Sequence, residues 1–274
     1  MLKFNFVRNN KFAYWARHKP FDMKKQVLNT VFFTLTTVVF LFPIISFSQI
    51  NQTDEEGKKY GKWEEKSGKN IRKGEYINDQ KEGQWVTFNS KDYVTKVVNF
   101  KNGKKDGYVI AMDNRGYVAS STAYLNGEKN GKELEYTYGG RIIGLKTWTN
   151  GKLDGNVKLY YDNGKMQETG MYKEGQRDGI TRWYDYDGKM IAEYHYENGQ
   201  MVGVQKGFYP SGEVQTEDTY ENNIAVGEHK EYHVNGEIKL IGKYKNGKRD
   251  GKWIKYDKNG KQTASLVYKN GELQ

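Results

Sequence analysis

No cysteine occurs anywhere in the 274-residue chain, and histidine occurs only four times. Without cysteine there can be no disulfide staple and no lipid-modified cysteine anchor, so packing and hydrogen bonds must hold the fold unaided. So few histidines, one of them at His18 near the N-terminus, leave little material for histidine-based catalysis. A sustained helical spacing of apolar residues is also missing from Gly61 onward, where a glycine roughly every dozen residues would break a helix anyway.

What the sequence does contain is a period. Glycines stand at Gly83, Gly107, Gly131, Gly155, Gly179, Gly203, Gly227 and Gly251, each 24 residues after the last, with Gly61 leading by 22. Counting each unit from that glycine as offset 0, an aromatic recurs at +17: Phe100, Tyr124, Trp148, Tyr172, Tyr196, Tyr220, Tyr244 and Tyr268, with Tyr76 in the shorter first unit. A second aromatic column lies at +5, broken among the full units only by Met112, and a mostly apolar column lies at +11, from Val94 to Ile238. Glycine returns at +9, and Asn-Gly pairs such as Asn102-Gly103 and Asn246-Gly247 stand at +19 and +20. Self-similarity at a fixed period of this length marks a repeat architecture.

The punctuation specifies the local structure. Asn-Gly and Asp-Gly supply the positive dihedrals of tight hairpin turns, and here they bracket strand-length runs rich in Tyr, Trp, Val, Ile and Thr. Each unit therefore reads as one β-hairpin. A lone hairpin is marginal in water, so the expectation is an all-β chain: an elongated single-layer antiparallel sheet of about nine stacked hairpins and about eighteen strands. Offsets +11 and +17 share parity and are the expected buried face. Offsets +2 and +5 do not, so Trp63, Trp85 and Trp253 at +2 predict a bulge or an early strand end before +5.

Ahead of the repeats, Met23-Lys24-Lys25 precedes a mostly apolar run from Val27 to Phe47 and then Ser46-Phe47-Ser48-Gln49. That order predicts a signal peptide or signal anchor over residues 1–49, with cleavage after Ser48 or Gln49 and a possible true start at Met23. Either form delivers the repeats outside the cytoplasm, in the periplasm, envelope or medium. Residues 50–60 read as a short polar linker and residues 61–274 as nine repeats. Residues 1–49 carry seven Lys or Arg against Asp22, so the net charge of +10 falls to 10 − 6 = +4 beyond them. A nucleic-acid partner is not expected of such a mixed surface.

Few residues suggest chemistry. His229, Glu231 and His233 alternate along a strand and so imitate a metal site. Their spacing of about 7 Å per pair separates the two histidines too widely for one ion, and a solvent-exposed strand face is expected instead. Asp185-Tyr186-Asp187-Gly188 has a calcium-loop look, but Trp183 and Tyr194 occupy the positions where its first and last ligands would be, so it reads as a turn. His195 sits at the variable offset +16, and Gly139-Gly140 is followed by no helix that would complete a phosphate loop. No catalytic, metal or cofactor residue is assigned, no cofactor is expected, and the chain reads as non-enzymatic. Aromatics at every repeat serve the sheet's cohesion before they serve a glycan- or peptide-stacking surface.

The run Tyr244-Lys245-Asn246-Gly247-Lys248-Arg249-Asp250-Gly251-Lys252-Trp253, with Tyr256-Asp257-Lys258-Asn259-Gly260-Lys261 after it, resembles the core of the MORN repeat in its bacterial variant form. The whole-chain arrangement, a leader followed by such repeats, is similar to proteins grouped with the YwqK-type antitoxins. That resemblance implies a stacked-hairpin fold and a protein partner, such as a toxin to be neutralised. An envelope-associated adaptor that recognises lipid headgroups or polysaccharide is the alternative it implies. Departures from the pattern are Lys66 at +5, Asp92 at +9, and the unit from Gly203 to Val226, which has Asn223 in place of the second turn glycine. That unit is the expected place for partner contacts.

Overall fold

A computed structural model describes residues 49–274, and the segment read as a signal peptide or anchor lies outside the described residues but for Gln49. Among the described residues there are 23 strands and no helix, and every recorded pairing is antiparallel. Among the described residues, 49–128 together with 136–141 form one compact unit, and 129–135 with 142–274 form the other. In both, each period contributes one hairpin whose arms pair along the chain, as in Gly83–Phe88 against Val94–Phe100 and Gly251–Tyr256 against Gln262–Tyr268. The strand count exceeds two per unit because arms such as Lys152–Leu153 and Gly155–Tyr160 are interrupted at a single residue, here Asp154, whose amide still bonds the Thr147 carbonyl.

The turns follow from the residue types. Asn246 and Gly247 have φ of 51° and 74°, the paired left-handed geometry of a type I′ turn. Asn222 and Asn223 hold the same geometry at 49° and 67°, so the missing glycine leaves the turn intact. Asp92 likewise takes φ 59° where other units have glycine. The glycine that sets the period has a second role, since in eight units it sits opposite the +17 ring or its Tyr76 counterpart, as in Gly251↔Tyr268, and gives that ring a surface without a side chain.

The expected break between +2 and +5 is present. In seven units the register shifts between +4 and +5, for example between Leu159 and Tyr160. One consequence overturns the expected buried face. The shift pairs +5 with +11, as in Tyr160↔Met166, and +4 with +13, so the extra residue at +12 breaks the alternation that should have linked +11 to +17. Val118 and Ile142 at +11 are accordingly 39% exposed.

The core lies instead at +2. Trp85, Val109, Val157, Thr181, Gln205, His229 and Trp253 all occupy that offset and are all buried. Each pairs across its hairpin with the +15 residue, as in Trp85↔Val98, Val109↔Thr122 and His229↔Gly242. The +17 rings close over the column edge-on: Tyr76 meets Trp85 at 5.2 Å between centroids, and Tyr244 meets Trp253 at 5.1 Å. Residues 50–60, read as a linker, contain a small hairpin of their own, with Gln52–Thr53 paired to Lys59–Tyr60.

Candidate functional site

The face that carries the +17 rings is largely closed by the chain's own side chains. Two residues before the period-setting glycine stand Lys59, Lys81, Lys105, Lys129, Arg177 and Arg249, each over a ring, while Leu153, Met201 and Ala225 hold the position in the other three units. Lys81 Nζ is 3.9 Å from the Trp85 ring centre and Lys129 Nζ is 4.2 Å from that of Trp148. The Arg177 guanidinium lies between Tyr172 and Tyr196, at 5.4 and 5.8 Å, and binds Glu168 Oε1 at 2.6 Å. Glu168 also accepts from Trp183 Nε1 at 3.2 Å. The aromatic columns are thus engaged in packing, cation contacts and hydrogen bonds within the sheet.

His229 is not on a solvent-exposed strand face. Offset +2 puts it in the core column, 6% exposed, where its ring lies 5.1 Å from Trp253 and 5.6 Å from Tyr244. Its Nδ1 is 2.6 Å from Asp218 Oδ1, and because a carboxylate only accepts, Nδ1 holds the proton. Nε2 has no hydrogen-bond partner and lies 3.6 Å from Glu231 Oε1. His233 is past the strand end and reaches sideways to the Tyr256 carbonyl at 3.0 Å, while Glu231 pairs with Lys239 at 3.2 Å. Among the described residues, no group of three or more His, Cys, Asp or Glu side chains is placed to hold a metal ion. Sequence reasoning missed the His229–Asp218 contact, whose only signal was the shared repeat geometry of offsets +2 and +15.

The other motifs fall where the period puts them. Asp185 closes its turn by accepting the Lys189 amide at 2.8 Å, and Tyr186 donates to Asp162 at 2.8 Å. His195 offers its backbone amide to Gln205 Oε1 at 2.7 Å and keeps an exposed ring. Gly139 and Gly140 form a turn with positive φ at both residues. At the same edge, the residue at +6 reaches the following unit: Tyr161 donates to the Tyr184 carbonyl at 2.8 Å and Tyr209 to that of Tyr232 at 2.7 Å.

The opposite face is more open. Offsets +1 and +16 pair across each hairpin there, as in Asn156↔Met171, Ile180↔His195 and Val204↔Thr219. Met171, Ile180 and Val204 are 44%, 36% and 41% exposed at one level of the sheet, with His195 on the strand between Ile180 and Val204. Lys206 and Glu217 border this level as a 3.1 Å ion pair on the same face.

Residues 153–174, 177–198, 201–222 and 225–246 match the MORN repeat variant family, and these four matches contain Met171, Ile180 and Val204 as well as the His229–Asp218 pair. The chain therefore carries a stacked repeat scaffold of that type over this stretch. No curated protein matches it.

Proposed function

We propose that the chain is a non-enzymatic, exported repeat scaffold that binds a partner protein, in the manner implied by the resemblance to YwqK-type antitoxins, with a toxin as the partner to be neutralised. The observation that carries this reading is the exposed set of Met171, Ile180 and Val204 on a rigid hairpin framework. Apolar side chains grouped on an otherwise polar surface mark protein contact sites. Many rings of the other face are covered by Lys and Arg of the chain itself, which argues against a continuous glycan-stacking surface there. Delivery outside the cytoplasm rests on the leader sequence, and N-terminal sequencing of the native protein should find Gln49 or Ile50 first.

Affinity purification of the tagged chain from its native envelope tests the reading. A stoichiometric protein partner, lost with Ile180→Asp, supports it. Sedimentation with liposomes or cell-wall material that is abolished by high salt, with no protein partner, would instead establish the adaptor for lipid headgroups or polysaccharide.

A further inference from the structure

The cation between the rings is absent at three places, Leu153, Met201 and Ala225, the last two in consecutive units. Where Arg177 lies between Tyr172 and Tyr196, the next two units have Met201 and Ala225. The rings nearby persist as Tyr196, Tyr220 and Tyr244, so the rings remain without a cation of the kind Arg177 supplies one unit earlier. Here the sheet has a cleft of about 160 Å³ whose lining includes Tyr194, Met201, Gln205, Lys206, Asp218 and Tyr220. Its opening comes from Gly207 at +4, where the preceding unit has Trp183 packed 5.1 Å from Tyr194.

The charged side chains lining this cleft are Asp218 and Lys206. Asp218 is its one lining carboxylate, and it receives a hydrogen bond from His229 Nδ1. Gln205 is turned inward, donating to the Val202 carbonyl at 2.7 Å and accepting from the His195 amide, and Lys206 is neutralised by Glu217 at 3.1 Å. Tyr220 is pushed up from its usual pKa by burial and then by Asp218, Tyr194 and Tyr244. For Tyr172 and Tyr196 burial is also the largest influence, but there Arg177 opposes it. An electron-rich recess of the size of a side-chain end, framed by tyrosines and a carboxylate, attracts a cation.

We propose that this cleft is a slot for the ammonium or guanidinium end of a lysine or arginine side chain presented by the partner protein, an assignment that rests on the partner-binding reading above. The chain's own Arg177 shows how such a group lies between two tyrosine rings.

The test is a titration of the 15N-labelled full chain with N-acetyl-arginine amide and N-acetyl-lysine amide, with N-acetyl-norleucine amide as the neutral control. The cationic amides should shift the backbone signals of Tyr194, Gln205, Asp218 and Tyr220, and the neutral one should not. Met201→Arg fills the slot from within, as Arg177 fills its own, and should abolish the response, as should Asp218→Asn. No response to the cationic amides, an equal response to norleucine amide, or a response retained by both variants overturns the proposal. Should either variant misfold, the wild-type comparison of cationic with neutral amide decides. Native capture separates the two readings: a partner retained equally by Met201→Arg sinks the slot and leaves the scaffold. A wild-type chain that captures no partner, yet shows the cation-specific shifts, keeps the slot and loses the scaffold.

Discussion

The indole of Trp253 covers Gly242 so closely that a Cβ built on the glycine would come within 2.2 Å of Trp253 Cδ2. Gly242 is absent from the positive-φ residues, so its backbone would accept an L side chain and the constraint is purely steric. Gly242→Ala should therefore cost about 1–3 kcal/mol as overpacking and alter the near-UV circular dichroism of the indole. Gly236→Ala is the contrast, because its Cβ meets nothing within 4 Å but its φ is 85°. It should cost about 1–2 kcal/mol through backbone strain and leave the aromatic signal unchanged. Urea denaturation with both readouts distinguishes the two.

The same pair shows what could be read in the sequence and what could not. Period, turns, hairpins and the break before +5 were legible because each is imposed by residue type: glycine and asparagine for left-handed backbone, alternation for strands. The core column was not. Trp85, Val109, Thr181, Gln205 and His229 share an offset and no chemistry, so nothing in composition marks them as one column. What unites them is fit to the +15 residue of the preceding hairpin: glycine at Gly74 and Gly242 beneath Trp85 and Trp253, valine at Val98 before Val109. His-x-Glu-x-His looked like a solvent-facing strand because register, not pattern, decides which side is covered. The unit from Gly203 to Val226 stood out through Asn223, yet its cleft comes from Gly207 and from the cations missing at Met201 and Ala225.

Asn223 holds its turn at φ 67° and also accepts the Met201 amide on its side-chain oxygen at 2.7 Å. Asn223→Ala should lose both features, costing about 1–2 kcal/mol for the left-handed backbone and about 1 kcal/mol for the hydrogen bond. Asn223→Gly loses only the bond and should cost about half as much or less. Equal losses for the two variants in thermal denaturation would mean that the side-chain contact, not the backbone, maintains this turn.

Tyr232 donates to Glu217 Oε2 at 2.8 Å. Burial first, then the hydrogen bond and charge of Glu217, push the tyrosine up to about 12. A folded pKa raised above the unfolded value near 10 gives stability that is complete below pH 10 and is lost as pH rises toward 12. For Glu217, burial pushes upward but is outweighed by hydrogen bonds from Tyr232 and Lys206, so its pKa is lowered. Its contribution is present above the ordinary carboxylate value and is lost as pH falls below it. Tyr232→Phe should flatten the alkaline limb of the stability profile by about 1 kcal/mol, allowing for solvent screening, and shift the acid limb as Glu217 loses a donor. Denaturant melts from pH 3 to pH 11 would show either limb unchanged if the contact is immaterial.

Arg177 and Glu168 form a half-covered ion pair on the ring face, at 2.6 Å, with only 12% of the Glu168 side chain exposed. Arg177→Met leaves that carboxylate covered and without its cation, which should cost about 1–3 kcal/mol after discounting for the partly exposed arginine. The next repeat already contains the compensated form: Met201 replaces the arginine and Ala192, in the place of Glu168, removes the acid. Arg177→Met combined with Glu168→Ala should therefore recover most of the loss, apart from the hydrogen bond that Trp183 Nε1 gives to Glu168. A double-mutant cycle in urea measures the coupling, expected at about 1–2 kcal/mol. Additive losses would show that the arginine acts through the rings of Tyr172 and Tyr196 and not through the carboxylate, making ring contact alone the requirement for a cation at this place.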